Sequence, residues 1–253
     1  MITLSSDFGS PYPAAMKGVL LSETDARLVD VSHEFPRQDV RAAAFWLREV
    51  LPYFPPAVHL VVVDPGVGTD RAALAVSAGD AWLVGPDNGV LLPAARALAD
   101  DGGLTLFEVV VDDPDSSTFH GRDVFAPAAG RLHESGADPL REAGLLRPAD
   151  GHVDLELPTA TVRDGGADGE VLVVDDFGNA ITNVPGTVLD GASEVSVDGA
   201  DPIPAARTFA AVDSGDPLAT VGSHGNVELD VNRGRGDEWF DLAPGDAVSL
   251  EVR

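Results

Sequence analysis

Val58-His59-Leu60-Val61-Val62-Val63-Asp64-Pro65-Gly66-Val67-Gly68 is the stretch that decides how this chain is read. Residues 58–63 run apolar with only His59 interrupting, and they do not alternate. A strand with one wet face alternates; a run like this one belongs to a strand covered on both faces. It stops at Asp64-Pro65-Gly66, whose residue types suit a turn. Upstream, residues 2–5 read as another buried strand, residues 13–24 as a helix and residues 28–31 as a strand. Asp39 then has the position of an N-cap for a helix with Val40, Ala43, Ala44, Leu47 and Leu51 on one face. Downstream, residues 73–78 and 81–84 read as paired strands and a helix follows Gly89. A strand over 104–111 and a helix over 124–134 complete this half. The alternation predicts an α/β domain with a mainly parallel sheet over residues 1–155.

From His152 onward helical periodicity fades. Short β-rich segments take over at 170–174, 180–184, 194–197, 217–221, 227–231 and 247–252, punctuated by Gly, Pro and Asp. That pattern predicts a smaller all-β domain, a sandwich or barrel, over residues 165–253. The boundary is expected between Pro148 and Gly169, with Arg163-Asp164-Gly165-Gly166 as a linker.

The charge is unusual. Asp and Glu number 42 against 16 Lys and Arg, a formal charge of −26, and Lys17 is the only lysine. Self-repulsion on that scale opposes a compact state in dilute buffer. Molar salt, with a Debye length of roughly 3 Å, removes most of it. The acids spread from Asp7 to Glu251 rather than forming one block, so halophilic adaptation is the reading preferred to a docking patch for a basic partner. The same charge argues against nucleic acid, which needs clustered Lys and Arg. The apolar runs are too short for a membrane span, and the N-terminus lacks a signal-peptide pattern, so a cytoplasmic location is expected. The chain has no cysteine, which excludes disulfides, thiolate zinc sites and a cysteine nucleophile.

Other common sites are missing from the sequence. There is no phosphate loop, Gly66-Val67-Gly68 lacks the third glycine of a dinucleotide fingerprint, and no nucleophile-elbow serine or HExxH pattern occurs. The six histidines are scattered without ligand spacing, so no metal is expected. What remains is polar residues at the ends of predicted strands, where open α/β sheets bind ligands. Asp7 follows the first strand, Asp64 ends the central one with Arg71 beyond it, and Asn88 precedes a helix. His120, Arg122 and Asp123 crowd together. Each has a structural alternative: Asp7, Asn88 and Asp123 as helix caps, Asp64 as a turn former. Their shared placement at strand ends favours a site.

The segments SSDFG, DVSHEF, VVDPGVGT, GPDNGVL, TFHGRDVFAP and VDDFGNAITNV, in that order, resemble the S-adenosylmethionine hydroxide adenosyltransferases. These are relatives of the enzymes that attack the same substrate with fluoride or chloride. The resemblance implies hydrolysis of S-adenosylmethionine to adenosine and methionine, with Asp64, Arg71 and His120 near the attacking water. It further implies that Asp7 grips the ribose diol. By the same resemblance Asp175 and Ser223 hold the methionine ammonium and carboxylate, Asn179 contacts adenine, and Phe209 stacks on the base. Asn88 and Phe177 fall in matched segments and join the substrate-binding candidates. The halogenating relatives have Tyr in place of Asp64, Ser in place of Gly121 and Arg in place of His224. The first two differences favour water over halide, and the third puts the carboxylate contact in question.

The resemblance implies no cofactor beyond the substrate, and a homotrimer whose site lies between the first domain of one subunit and the second of the next. Two rivals remain open at this point: a halide-dependent adenosyltransferase, which Asp64 disfavours, and a non-catalytic sensor of S-adenosylmethionine or adenosine. A sensor has no need of a water-activating cluster.

Overall fold

In the computed structural model, which describes residues 1–99, 102–110 and 118–253, strand β3 (Val58–Val62) is buried along its whole length. Leu60 and Val62 enter one apolar cluster with Met16, Leu20, Ala126 and Leu132. Val61 and Val63 enter another with Leu47, Leu74, Leu91 and Ala95. The continuous apolar run is thus the signature of a strand feeding a core on each face. Helices α1 (Tyr12–Glu23) and α4 (Ala126–Ser135) supply the first cluster. Helices α2 (Val40–Val50) and α3 (Leu92–Leu98) supply the second. Asp39 caps α2 as expected, its side chain accepting the Ala42 N–H at 2.9 Å.

Around β3 lie β1 (Ile2–Ser6), β2 (Leu28–Ser32), β4 (Ala73–Ala78), β5 (Ala81–Pro86), β6 (Leu104–Val109) and β7 (Leu146–Pro148). The order is β2-β1-β3-β5-β4-β6-β7. The sheet is mixed, so the mainly parallel expectation holds only in part. β1 pairs in parallel with β2 and β3, and β3 with β5. The pairings β4–β5, β4–β6 and β6–β7 are antiparallel. The cause is the tight Gly79-Asp80 turn, which returns β5 directly against β4. Gly79 takes φ +58° there, which glycine reaches without a Cβ penalty. The far end of the predicted strand 104–111 reaches Val111, which lies outside the described residues. A short helix α5 (Ala137–Glu142) and β7 fall where no element was expected.

The chain divides into units Met1–Glu156 and Leu157–Arg253. The second contains β8 (Thr161–Arg163), β9 (Gly166–Val174), β10 (Ala180–Pro185), β11 (Glu194–Val197) and β12 (Ile203–Pro204). It continues with β13 (Pro217–Val221), β14 (Asn226–Val231), helix α6 (Gly236–Phe240) and β15 (Ala247–Val252). All its strand pairings are antiparallel, in the order β12-β11-β15-β9-β10-β14-β13 with β8 beside β9. A bridge from Ala205, just after β12, to Ala219 of β13 joins the two ends, so the sheet curls into a nearly closed barrel. Val171, Ala180, Val195, Leu229 and Leu250 fill it. Arg163-Asp164-Gly165-Gly166, expected to be a linker, is instead the β8–β9 hairpin, with Arg163 paired to Gly166. Polar Gly-rich composition is shared by linkers and tight turns, so it did not separate them. The single turn of α6 also interrupts the all-β expectation.

Candidate active site

The parallel register of β1 and β3 places Ser6 opposite Val62. Asp7 and Asp64 therefore leave neighbouring strands at the same carboxyl-end edge, where open α/β sheets place their ligands. Asp64 Oδ1 accepts the Gly66 N–H at 3.0 Å and the Arg71 Nη1 at 3.0 Å. The carboxylate side chain is 6% exposed and that of its arginine 27%. Both hydrogen bonds found to Asp64 among the described residues fall on Oδ1, so Oδ2 is the oxygen left for a ligand. Gly66 lets the guanidinium lie over the turn: a Cβ there would meet Arg71 Nη2 at 2.3 Å and its central carbon at 2.6 Å.

His120 arrives from the other side of the chain. It precedes a π-helical turn, Gly121–Phe125, that leads into α4, and such turns recur at functional sites. Gly121 is buried against β3 and α1. A Cβ on it would stand 2.9 Å from Met16 Sδ, 3.1 Å from Val62 Cγ1 and 3.2 Å from a Phe119 ring carbon. That close packing holds His120 at the end of β3, with its ring edge-on to Phe125 at 6.5 Å. Asp7, Asp64 and His120 line one cavity of about 90 Å³ together with Phe8, Val67 and Phe119. Beside it is a hollow of about 460 Å³ lined by Phe8, Tyr12, Thr118, Phe119 and Arg122. The rings of Phe8, Tyr12 and Phe119 meet edge to face at 5.7–6.1 Å, and the Arg122 guanidinium lies 5.4 Å from the Phe119 ring. Sequence reasoning missed this aromatic rim; only the placement of Phe8 and Phe119 beside Asp7 and His120 hinted at it.

Asn88 is placed differently. Its Nδ2 donates to the Val63 carbonyl at 2.8 Å and its Oδ1 accepts the Val90 N–H at 3.1 Å, so the amide ties the end of β3 to the turn before α3. It does not line the cavity.

In the second unit Asp175 and Asn179 face each other across a turn. Asp175 Oδ1 accepts the Phe177 and Asn179 N–H groups, each at 2.9 Å, and Oδ2 accepts Asn179 Nδ2 at 3.0 Å. Phe177, at the tip of that turn, is 79% exposed. Phe209 is exposed at the start of a short 3₁₀ turn, and Ser223 is exposed in the β13–β14 turn. His224 has its Nε2 at 3.2 Å from Glu228 Oε1, both side chains being largely buried. Among the described residues no group of three or more His, Asp or Glu side chains is arranged to hold a metal ion. No helix among them is long and apolar enough to cross a membrane.

A protein named (R)-S-adenosyl-L-methionine hydrolase from Salinispora tropica is 42% identical, over 98% of this chain and 97% of its own. One of the same name from Thermus thermophilus is 42% identical, over 97% of each. The crystal structure of an uncharacterized conserved protein from Thermotoga maritima superposes with a TM-score of 0.85 at 32% identity, covering 99% of this chain and all of that one. Residues 2–144 match the SAM hydroxide adenosyltransferase N-terminal domain and residues 169–249 the C-terminal domain of the same family. The chain is therefore a member of the S-adenosylmethionine hydroxide adenosyltransferase family.

Proposed function

We propose that this protein hydrolyses S-adenosylmethionine to adenosine and methionine. The observation that carries the reading is the single cavity lined by Asp7, Asp64 and His120, with Arg71 bound to Asp64. Water attacks the 5′ carbon of the ribose in line with the departing sulfur, the new C–O bond forms as the C–S bond breaks, and methionine leaves as a neutral thioether. The water's proton is lost, so the sulfonium cation and water give adenosine, methionine and a proton. The leaving group needs no acid; the barrier lies in orienting and deprotonating a weak nucleophile. Asp64 and His120 accept the proton, while Arg71 fixes the carboxylate and holds developing hydroxide electrostatically. Asp7 takes the ribose diol. Asp175, Asn179, Phe209 and Ser223 take the adenine and methionine ends, with the Asp175–Asn179 bond opening to a ligand. Phe177 contributes apolar cover, and Asn88 shapes the loop after β3. The names of the relatives support the R sulfonium epimer as the preferred substrate.

The assembly that goes with this reading is a homotrimer in a closed ring, the site lying between the first domain of one subunit and the second of its neighbour. Mixing inactive Asp64→Asn with inactive Asn179→Ala subunits under exchange then restores activity. Verified exchange without recovery rejects the shared site.

Chromatography of substrate incubated with protein tests the function. Adenosine plus methionine from wild type, with turnover down about 10³-fold in Asp64→Asn at little-changed substrate affinity, is the expected pattern. A 5′-halo nucleoside or unchanged substrate rejects the reading.

A further inference from the structure

The turn after β2, residues 33–38, begins within the motif segment DVSHEF (residues 30–35) but has no part in the chemistry above. Its His33 stands at the centre of a chain of contacts. Nδ1 lies 2.7 Å from Ser6 Oγ, and Nε2 lies 3.0 Å from Asp30 Oδ1. Lys17, the only lysine in the sequence, donates to Asp30 Oδ2 at 2.5 Å. A carboxylate only accepts, so the neutral ring carries its proton on Nε2 and accepts the Ser6 hydroxyl at Nδ1. Burial works to raise the Asp30 carboxyl, but the hydrogen bonds from Lys17 and His33 outweigh it and hold it below the usual range. Ser6 is wholly buried. This serine–histidine–aspartate chain therefore has no nucleophile to present, and its use must be sought in what it holds.

What it holds is the segment that carries Asp7. The His33 carbonyl accepts the Gly9 N–H at 2.9 Å, and the Ser6 carbonyl accepts the Phe35 N–H at 3.4 Å. Gln38 donates its backbone N–H to Asp7 Oδ2 at 2.6 Å. Gln38 does so at φ +62°, a left-handed conformation that is unfavourable for a residue with a side chain. One turn thus grips Ser6, Asp7 and Gly9. Among the described residues the side chain of Asp7 takes a hydrogen bond on Oδ2, from Gln38, which leaves its other oxygen for a ligand hydroxyl in the cavity.

We propose that His33 is a positioning residue for the ribose subsite, acting through Ser6 to fix the Asp7 carboxylate for a vicinal diol. The inference rests on Asp7 being the acid that takes the diol. The experiment is calorimetric titration of the full-length protein, in high salt, with adenosine and with 2′,3′-dideoxyadenosine. Asp7→Ala should weaken adenosine and leave the dideoxy compound nearly unchanged. His33→Ala should do the same, with a loss of about tenfold or more for adenosine only, because displacement of a binding group by about 1 Å suffices for such a loss. His33→Asn, whose amide stands where Nδ1 stood, should recover most of the affinity. The Asp7→Ala/His33→Ala double variant should bind no worse than Asp7→Ala alone. Should His33→Ala fail to fold, Ser6→Ala is compared in its place. Equal losses for both nucleosides, additive losses in the double variant, or no loss on changing His33 overturns the brace while the Asp7 assignment stands. If Asp7→Ala itself does not discriminate between the nucleosides, the Asp7 assignment fails and the brace with it.

Discussion

Arg71 reaches back seven residues to donate from Nη1 to Asp64 Oδ1 at 3.0 Å, and it crosses the turn directly over Gly66. The turn, the glycine and the ion pair are one device. A side chain at position 66 cannot coexist with the guanidinium where it now lies. Gly66→Ala is expected to push Arg71 away from Asp64 and lower kcat by about 10–100-fold, since electrostatic positioning at the reacting atoms is lost. The guanidinium is the movable end of a flexible side chain, so thermal stability should shift little. Measuring kcat and Tm together checks this: unchanged kcat means the pairing is dispensable.

How much of this was visible in the sequence follows from the physics of each element. β3 was legible because burial on both faces forces an uninterrupted apolar run, and the Asp39 cap was legible because its signal is local. Asp7 and Asp64 were legible as the residues just past two strands, and the pairing of those strands makes them neighbours. The direction of β4 depends on a two-residue turn, a local signal that the alternation of strands and helices obscured. The Phe8–Tyr12–Phe119 rim was not legible, because it joins residues more than a hundred positions apart and each is an ordinary aromatic by itself. Asn88 shows the opposite limit. An amide just before a helix looks the same whether it binds a ligand or, as here, a backbone carbonyl. The contacts of His33 are similarly hidden: its motif segment stands in the sequence, but Ser6, which meets its ring, and Lys17, which meets its partner Asp30, lie on other elements.

Asp230, in β14, is wholly buried, and neither of its oxygens has a hydrogen-bond partner among the described residues. Burial, with Glu228 and Asp175 nearby, pushes its carboxyl up to about 8 from 3.8. Between those values the folded chain holds a proton that the unfolded chain has released, so stability falls as pH rises through the window. Asp230→Asn removes that loss. The variant should melt higher than wild type at pH 8, by an amount worth a few kcal/mol, and the gap should close toward pH 4. Melting curves across pH at fixed salt decide it; a variant no more stable at pH 8 contradicts the assignment.

His59 gives the reverse sign. Buried in β3 with Nδ1 2.8 Å from Thr3 Oγ1, it is driven by burial from 6.5 down to about 4. The unfolded chain binds the proton first, so stability is lost as pH falls from about 6.5 to about 4, by about 3 kcal/mol. His59→Gln should melt with a flatter dependence on pH in that range; an unchanged slope places the acid sensitivity elsewhere.

Salt should stabilise the protein. Exposed pairs such as Arg147–Glu108 and Arg163–Asp168 weaken with salt, but each is worth only about 0–1 kcal/mol. The acids exceed the bases by 26, and relief of their repulsion outweighs those losses. Tm and activity should rise from dilute buffer to molar potassium chloride. Full activity and an unchanged Tm without salt refute halophilic adaptation.

If water placed by Asp64, Arg71 and His120 attacks the 5′ carbon, its oxygen must end in the adenosine. Turnover of each sulfonium epimer in water enriched in oxygen-18, followed by mass spectrometry of the products, decides this. The expected result is adenosine carrying one heavy oxygen at its 5′-hydroxyl, unlabelled methionine, and faster turnover of the R epimer. Adenosine without label, or a 5′-halo nucleoside in its place, rules out attack by water.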